Sequence, residues 1–394
     1  MEEDKINVCY GIADLKGTYS KFVGTSICSV LENAAGPVNV HLIHDDKLTE
    51  RNKSNFQELV SRYGQEIAFY DVSVRWGYVW DRIWKSMPIL AKSSLTIGML
   101  YRLLIVELMP GERRAIYLDA DTIVNLDIRE LWECEIPASG LAAVPDLFVQ
   151  KIGDDMINAG VVSRDSYFNS GVLLLDLKKV SRVRNLIDKV LNFIIKYFPD
   201  YPDQDALNYL FPDSAVLPNK YNTFVDTATK ERWPLENCIY HYANNSLGLD
   251  MNNEFNRLYF RYFVKTPWFD EAFLGNFANN IEVLRLDLVW LCNRCAGKRR
   301  IFIGPAFRQQ SIMDFFEMGK DEVFIKLEEI KEQELDFKRS KDVILVVLSK
   351  HDYVDIRRAL LEFGLVEDVD FIYVPSKIGM EKSRTSEYGM FFNS

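Results

Sequence analysis

Short apolar runs alternate with amphipathic stretches along the first half of the chain. The pattern predicts six strands, over residues 7–10, 38–44, 67–72, 115–118, 141–144 and 170–176. Between the first two strands, apolar residues recur at helical spacing, as at Phe22, Ile27 and Leu31, which predicts a helix over residues 18–33. Strands that alternate with helices favour right-handed βαβ units. The pattern therefore predicts an α/β domain with a largely parallel sheet.

Three more helices are predicted farther along, over residues 92–108, 178–198 and 203–210. The first of these carries Arg102. Trp76, Trp80 and Trp84 recur every four residues and predict a helical stripe. Such stripes usually pack in a core, and a lid or an acceptor cleft is the alternative.

Two stretches lack a regular pattern. Residues 146–166 are polar and contain turn signals such as Gly153-Asp154-Asp155, which predicts a mobile flap. Residues 221–268 are rich in aromatic side chains and are expected to be irregular.

The pattern changes again near residue 270. A connecting helix over 281–296 is followed by predicted strands at 301–303, 323–325, 343–348 and 371–374, with helices at 307–317 and 354–363. We expect a domain over 1–275, a helical linker over 276–297 and a small Rossmann-like α/β domain over 298–394. The last has no G-x-G-x-x-G turn, so dinucleotide binding there is unsupported.

Composition narrows the class of protein. With 48% hydrophobic residues the chain can fill a large core, and its net charge of −10 argues against nucleic-acid binding. The six cysteines lack framework spacing, and the lone pair Cys292 and Cys295 is expected to be structural. The sequence opens without a secretory signal and has no long apolar run. A cytoplasmic protein is expected, with peripheral attachment to a membrane left open.

The candidate chemistry begins where the strand over 115–118 ends in Asp119-Ala120-Asp121. Carboxylates at i and i+2 of an extended chain lie on the same face, and ligands of α/β sheets bind beyond the carboxyl ends of strands. Two close carboxylates repel unless a cation lies between them. The natural occupant is a divalent ion that carries a phosphorylated ligand.

Four blocks of sequence are informative. The first contains the aspartate pair and the other three follow it: residues 101–132, FNSGVLLLDLKKV over 168–180, YPDQDALNYLF over 201–211, and HYANN over 241–245. With these blocks the chain resembles the family 8 glycosyltransferases over about residues 5–270. These are retaining enzymes of the GT-A type that use nucleotide sugars. The resemblance implies a GT-A fold with a Rossmann-like mixed sheet, followed here by the small C-terminal domain.

The resemblance also implies the site residues. It makes Asp119, Asp121 and His241 the ligands of one metal ion, and an imidazole among carboxylates favours Mn²⁺, with Mg²⁺ as the alternative. The residues that it assigns to the UDP-sugar are Gly11, Ile12, Asp14, Arg102, Ala120, Asn169, Ser170, Asp203 and Gln204. Asp203 would bind the hexose, and Gln204 would lie under the anomeric carbon.

The mechanism implied is transfer with retention. Retention normally indicates a carboxylate nucleophile on the far face of the sugar, but Gln204 at that place is a poor nucleophile. The interpretation is therefore front-face departure, in which Gln204 stabilises positive charge at the anomeric carbon. Asp203 or Asp205 as a true nucleophile stays open.

One departure from the family concerns phosphate binding. The family follows its histidine with a lysine that clamps a phosphate, and residues 242–248 contain no lysine. Lys265 or Arg261 remain as substitutes.

The expected function is transfer of glucose or galactose from UDP-glucose or UDP-galactose to a glycan or glycolipid acceptor in surface polysaccharide synthesis. A catalytically weak or inactive binding protein and a metal-dependent nucleotidyltransferase are the alternatives.

Overall fold

The computed structural model describes residues 5–86, 97–243, 247, 251–303, 323–325, 342–348 and 353–373. The chain divides into two compact units, Met1–Asp270 and Glu271–Ser394. The domain boundaries expected from the sequence stay a prediction.

The first unit is built on a six-stranded sheet and a smaller three-stranded sheet. Its strands are β1 (Ile6–Ile12), β2 (Val38–His44), β3 (Glu66–Asp71), β4 (Arg114–Leu118), β5 (Thr122–Val124), β6 (Leu141–Pro145), β7 (Phe168–Asp176), β8 (Thr223–Phe224) and β9 (Ile239–His241). The large sheet has the order β3-β2-β1-β4-β7-β6, and the small sheet has the order β5-β9-β8.

Helices connect these strands. They are α1 (Ser20–Asn33), α2 (Glu50–Arg62), α3 (Gly77–Ser86), α4 (Ile105–Leu108), α5 (Arg129–Trp132), α6 (Leu147–Ile152), α7 (Asp155–Asn158), α8 (Leu177–Val180), α9 (Leu186–Tyr197), α10 (Pro202–Leu210), α11 (Val225–Lys230) and α12 (Glu254–Phe263), with 3-10 helices at Ile97–Leu104 and Asn219–Tyr221. Trp76 is buried just before α3, while the side chains of Trp80 and Trp84 lie outside the described part.

The large sheet is mixed, which confirms the fold that the resemblance implies, whereas the hydrophobic pattern alone predicts a largely parallel sheet. Strands β3, β2, β1 and β4 are parallel, but β7 is antiparallel to both β4 and β6. Leu118 at the end of β4 pairs with Val172, and the Asp119 amide donates to the Gly171 carbonyl at 2.8 Å. The antiparallel direction of β7 therefore brings its first residues to the edge of the sheet where β4 ends.

Several predicted elements differ in detail. Within the described part of 92–108, Arg102 lies on a 3-10 helix. The Gly98 carbonyl of this helix packs against Gly11 of β1. The helix expected over 178–198 is broken into α8 and α9, and Asn185, directly before α9, adopts a left-handed conformation with φ of 56°.

The two stretches expected to be irregular also contain helices. Residues 146–166 hold α6 and α7, each begun by an aspartate side chain that accepts a backbone hydrogen bond, Asp146 from Val149 and Asp154 from Ile157. Residues 221–268 include α11 and α12 as well as two short strands. Side-chain capping and long-range packing, which hydrophobic periodicity does not record, form these elements.

The second unit contains a four-stranded parallel sheet. Its described elements are α13 (Glu271–Cys295), β10 (Arg299–Ile303), β11 (Val323–Ile325), β12 (Val343–Val347), α14 (Tyr353–Glu362) and β13 (Phe371–Tyr373), with the strand order β11-β10-β12-β13. The helix expected over 307–317 lies outside the described residues. Cys9, Cys28, Cys134, Cys238 and Cys292 are free thiols. Among the described helices of the chain, none combines the length and apolarity needed to cross a bilayer.

Candidate active site

Two carboxylates and an imidazole meet beyond the carboxyl end of β4. Asp119 follows β4, Asp121 precedes β5, and His241 ends β9, where it pairs with Thr122. One ligand atom from each side chain lies within 4.8 Å of the other two. The carboxylates are partly exposed and the imidazole is buried, so an ion could be reached from one side. Two hard oxygen ligands and one nitrogen ligand fit a divalent cation.

Gly171 keeps the space between these ligands open. A Cβ atom at this position would lie 2.4 Å from His241 Cε1 and 2.8 Å from Asp119 Oδ2. Real Cβ atoms do not approach other atoms so closely, so any larger residue would displace the imidazole or the carboxylate. The space around the ligand atoms therefore requires glycine at position 171.

An amide network fixes the orientation of His241. Nδ1 of its ring lies 2.9 Å from Asn222 Oδ1, and Asn222 Nδ2 donates to Asn169 Oδ1 at 2.8 Å. Asn169 Oδ1 also accepts from the Gly171 amide at 2.9 Å. Since Asn222 donates to Asn169, its Oδ1 accepts the Nδ1 proton, which leaves Nε2 facing Asp121 at 3.2 Å.

Arg102 connects Asp119 to Ser170 and Asp203, which the resemblance assigns to the donor sugar. Its guanidinium, nearly buried, lies 2.7 Å from Asp119 Oδ1 and 3.2 Å from Asp203 Oδ2, and donates to Ser170 Oγ at 2.8 Å. The guanidinium also lies over the Tyr117 ring, 4.6 Å from its centroid, and the Tyr117 hydroxyl donates to Asp119 at 2.9 Å.

The pKa values of the three cluster residues are shifted by their surroundings. Burial raises the pKa of Asp119, although Arg102 opposes this shift. The pKa of Asp121 is lowered, because the adjacent His241 outweighs the cost of burial. Burial alone would lower the pKa of His241, but Asp121 and Asp119 raise it above its usual value. Without a metal ion, the imidazole and Asp121 thus form an ion pair.

Gln204 lies in the first turn of α10 and is held from three sides. Its Oε1 accepts from Asn169 Nδ2 and from the Ser170 amide, both at 3.0 Å. Its Nε2 lies 3.3 Å from both Asp146 Oδ2 and the Tyr167 hydroxyl. The residues assigned to the sugar from the sequence, namely Arg102, Asn169, Ser170, Asp203 and Gln204, therefore form one hydrogen-bonded group.

The nucleotide residues expected near the N-terminus lie at and just after the end of β1. Gly11 and Ile12 are the last residues of this strand, paired with Ile43 and His44 of β2. The Asp14 carboxylate is buried and accepts from the Tyr19 and Ser20 amides, the Ser20 hydroxyl and Asn52 Nδ2.

These contacts show that Asp14 holds the start of α1. Its assignment to the nucleotide stays a prediction. Ala120, between the two aspartates, is buried.

Sequence reasoning missed residues that shape the site. They are Tyr117, Asp146, Tyr167, Gly171 and Asn222. Gly171 stands within the FNSG block, and a glycine next to assigned ligands was an available signal. The other four carry no local motif.

The phosphate-clamping lysine has no replacement at Lys265. This side chain forms an ion pair with Glu32 near the C-terminal end of α1. Asp14, Tyr19 and Ser20 lie at the opposite end of that helix. Residues 244–246 and 248–250, where the family has its lysine, lie outside the described residues.

Known proteins resemble the chain in sequence and in fold. A family model described as Glycosyl transferase family 8 matches residues 12–245. The lipopolysaccharide 1,2-glucosyltransferase of Escherichia coli K12 is 30% identical over 233 residues, which cover 55% of this chain and 62% of that protein. In three of the curated relatives, this one included, the matched part spans between 61% and 63% of the relative's own length.

Two solved structures are similar in fold. The galactosyltransferase LgtC, in complex with donor and acceptor sugar analogues, has a TM-score of 0.57 at 18% identity, over 68% of this chain and 99% of its own. The glycosyltransferase GlyE of Streptococcus pneumoniae TIGR4 has a TM-score of 0.51 at 16% identity, over 97% of this chain and 99% of its own.

Gly171→Ala should weaken Mn²⁺ binding by at least about tenfold, because the added methyl group displaces ligand atoms (a factor of ten is about 1.4 kcal/mol). Titration calorimetry with Mn²⁺ measures the affinity, and circular dichroism checks the fold. Gly111→Ala is the matched control, since its Cβ would meet no atom within 4 Å. Equal Mn²⁺ affinity in Gly171→Ala and Gly111→Ala would show that the metal does not bind between Asp119, Asp121 and His241.

Proposed function

Because the chain belongs to glycosyl transferase family 8, whose members have the GT-A fold and use nucleotide-sugar donors, we propose that it transfers glucose or galactose from a UDP-sugar to a glycan acceptor with retention. Surface polysaccharide synthesis is the proposed setting. The likeness to the lipopolysaccharide 1,2-glucosyltransferase supports it.

The observation that carries the proposal is the cluster of Asp119, Asp121 and His241 beside Gly171. The three side chains would hold one divalent cation, with Mn²⁺ preferred because of the imidazole. Such an ion supplies Lewis-acid stabilisation of the charge on a departing diphosphate.

On the sugar side, Arg102 and Asp203 are proposed to position the donor. Their ion pair of 3.2 Å orients the Asp203 carboxylate, which would accept hydrogen bonds from hexose hydroxyls. Asn169 and Ser170 lie between this pair and Gln204, where their side chains would contact the transferred sugar.

Gln204 is proposed to face the anomeric carbon and to stabilise positive charge there in the transition state. The neighbouring Asp205 is a poor candidate for a nucleophile, because its side chain is fully buried and accepts from the Tyr167 hydroxyl at 2.6 Å. Asp203 is engaged by Arg102. These contacts favour front-face departure, in which the acceptor attacks from the side that the phosphate leaves.

The proposal predicts Mn²⁺-dependent binding of UDP and release of UDP from UDP-glucose or UDP-galactose. Calorimetry with and without Mn²⁺ measures binding, and a UDP-release assay measures turnover. Asp121→Ala should abolish the Mn²⁺-dependent part of UDP binding, and Asp155→Ala, an exposed acidic residue on α7, is the control.

Product NMR then reports the linkage, which should keep the α configuration of the donor. A β linkage would exclude front-face transfer. UDP binding without any turnover would instead support the non-catalytic alternative, which the missing lysine motivates.

Gln204→Ala should lower kcat far more than it raises KM, because charge at the anomeric carbon appears only in the transition state. Steady-state kinetics of the variant measures both constants. Gln57→Ala, an exposed glutamine on α2, controls for general effects of the substitution. A kcat within about twofold of the wild type, worth only ~0.4 kcal/mol, would exclude this role for Gln204.

A further inference from the structure

Behind Gln204, two buried aspartates from different elements meet. Asp205 lies in the first turn of α10 and is 0% exposed, and Asp154 begins α7 and is 8% exposed. The Asp154 carboxyl lies close enough to Asp205 to raise the pKa of its carboxyl group. We refer to Asp154 and Asp205 together as the carboxyl pair.

The hydrogen bonds around the carboxyl pair leave one oxygen without a donor. Asp205 accepts from the Tyr167 hydroxyl at 2.6 Å and from the Tyr201 amide at 3.1 Å. Asp154 Oδ1 accepts from the Ile157 amide at 2.7 Å, while Asp154 Oδ2 is buried and receives no hydrogen bond. A buried carboxylate oxygen without a donor is costly, and two adjacent ionised carboxylates repel as well. One proton between the two side chains removes both costs.

We propose that Asp205 and Asp154 share one proton, and that this proton fastens the start of α7 to α10 and thereby holds Gln204 in place. The inference rests on the proposed function as far as Gln204 is concerned. In this arrangement Asp205 donates to Asp154 Oδ2 and acts as a positioning residue.

The electrostatic surroundings agree with a protonated Asp205. Burial raises its pKa to about 7, and the Asp154 carboxylate raises it further while Tyr167 opposes the shift. Tyr201, at the start of α10, has a raised pKa through the same burial and through the nearby acidic groups Asp146 and Asp200. The cation next to this region is Arg164, which lies beside Gly153 and donates to the Gln150 carbonyl.

The carboxyl pair reaches Gln204 through Tyr167. The Tyr167 hydroxyl donates to Asp205 and lies 3.3 Å from Gln204 Nε2. Asp146 at the start of α6 contacts the same Nε2 at 3.3 Å. Loss of the shared proton would place two negative charges side by side, separate α7 from α10 and loosen the support of Gln204.

The direction of the pH effect follows from the pKa of Asp205, which is higher in the folded chain than in the unfolded one. The stabilising contribution is then fully present below the unfolded pKa and is lost as the pH rises through about 7. Gln204 should therefore be best positioned on the acidic side of neutrality.

The test replaces the shared proton by an amide. In Asp154→Asn, the amide can donate to an ionised Asp205 at any pH and can still begin α7, since asparagine is a good N-cap residue. The ratio of its kcat to that of the wild type should rise by at least about threefold between pH 6.5 and 8.5, because only the wild type loses the link. Using the ratio cancels titrations that both proteins share. Asp155→Asn, the exposed neighbour on α7, should give a ratio that does not change with pH.

Two further measurements do not depend on transferase activity. Between about pH 6 and 8, Tm should fall more steeply in the wild type and in Asp155→Asn than in Asp154→Asn. The infrared carbonyl band of a protonated carboxylic acid should be present in the wild type at pH 6 and absent from Asp154→Asn. If Asp154→Asn does not fold, Asp205→Asn replaces it, because that amide can donate to Asp154 Oδ2.

If Tm falls with pH equally steeply in the wild type and in Asp154→Asn, and if Asp154→Asn keeps the infrared band, then Asp205 and Asp154 do not share a proton. An infrared band that is lost, with a kcat ratio independent of pH, would overturn the link to Gln204. If the wild type has no transferase activity but the band and the Tm slopes behave as expected, the carboxyl pair stands and the proposed function fails.

Discussion

The buried ion pairs of Arg102 join the parts of this site. One guanidinium touches Asp119 after β4, Ser170 in β7 and Asp203 in α10. A buried guanidinium must be paired, because an unpaired one would carry a large desolvation cost. The carboxylates are therefore held in position by the same charge that they neutralise. Removing either acid would leave Arg102 short of a partner and disturb both the proposed metal site and the residues proposed to bind the sugar.

A steric constraint operates beside this electrostatic one. Strand β7 runs antiparallel to β4, so that its first residues approach the end of β4, and Gly171 there leaves room for His241 and Asp119. The same stretch supplies Asn169 and Ser170, which hold Gln204. One short segment of backbone thus sets the spacing between the cation ligands and the residues proposed to face the sugar.

The strand-ending pair Asp119 and Asp121 could be predicted from the sequence because it is local: an apolar run followed by two carboxylates shows both strand and chemistry. His241 could not be found in this way. It meets Asp121 only through the pairing of β5 with β9, and the resemblance to family 8 supplied it. Asn222 was missed because its role depends on contacts with Asn169 of β7 and His241 of β9, which are distant from it in the sequence. The 3-10 geometry around Arg102 was missed since the hydrophobic pattern does not distinguish it from an α-helix.

His241 and the two aspartates are proposed to hold the metal that binds UDP. Electron–nuclear double resonance of bound Mn²⁺, in protein with isotope-labelled histidine nitrogen, tests this site directly. We expect coupling to one imidazole nitrogen and, with UDP added, to phosphorus, and we expect His241→Gln to remove the nitrogen coupling. Mn²⁺ bound without any nitrogen coupling, or a nitrogen coupling that survives in His241→Gln, would contradict this assignment.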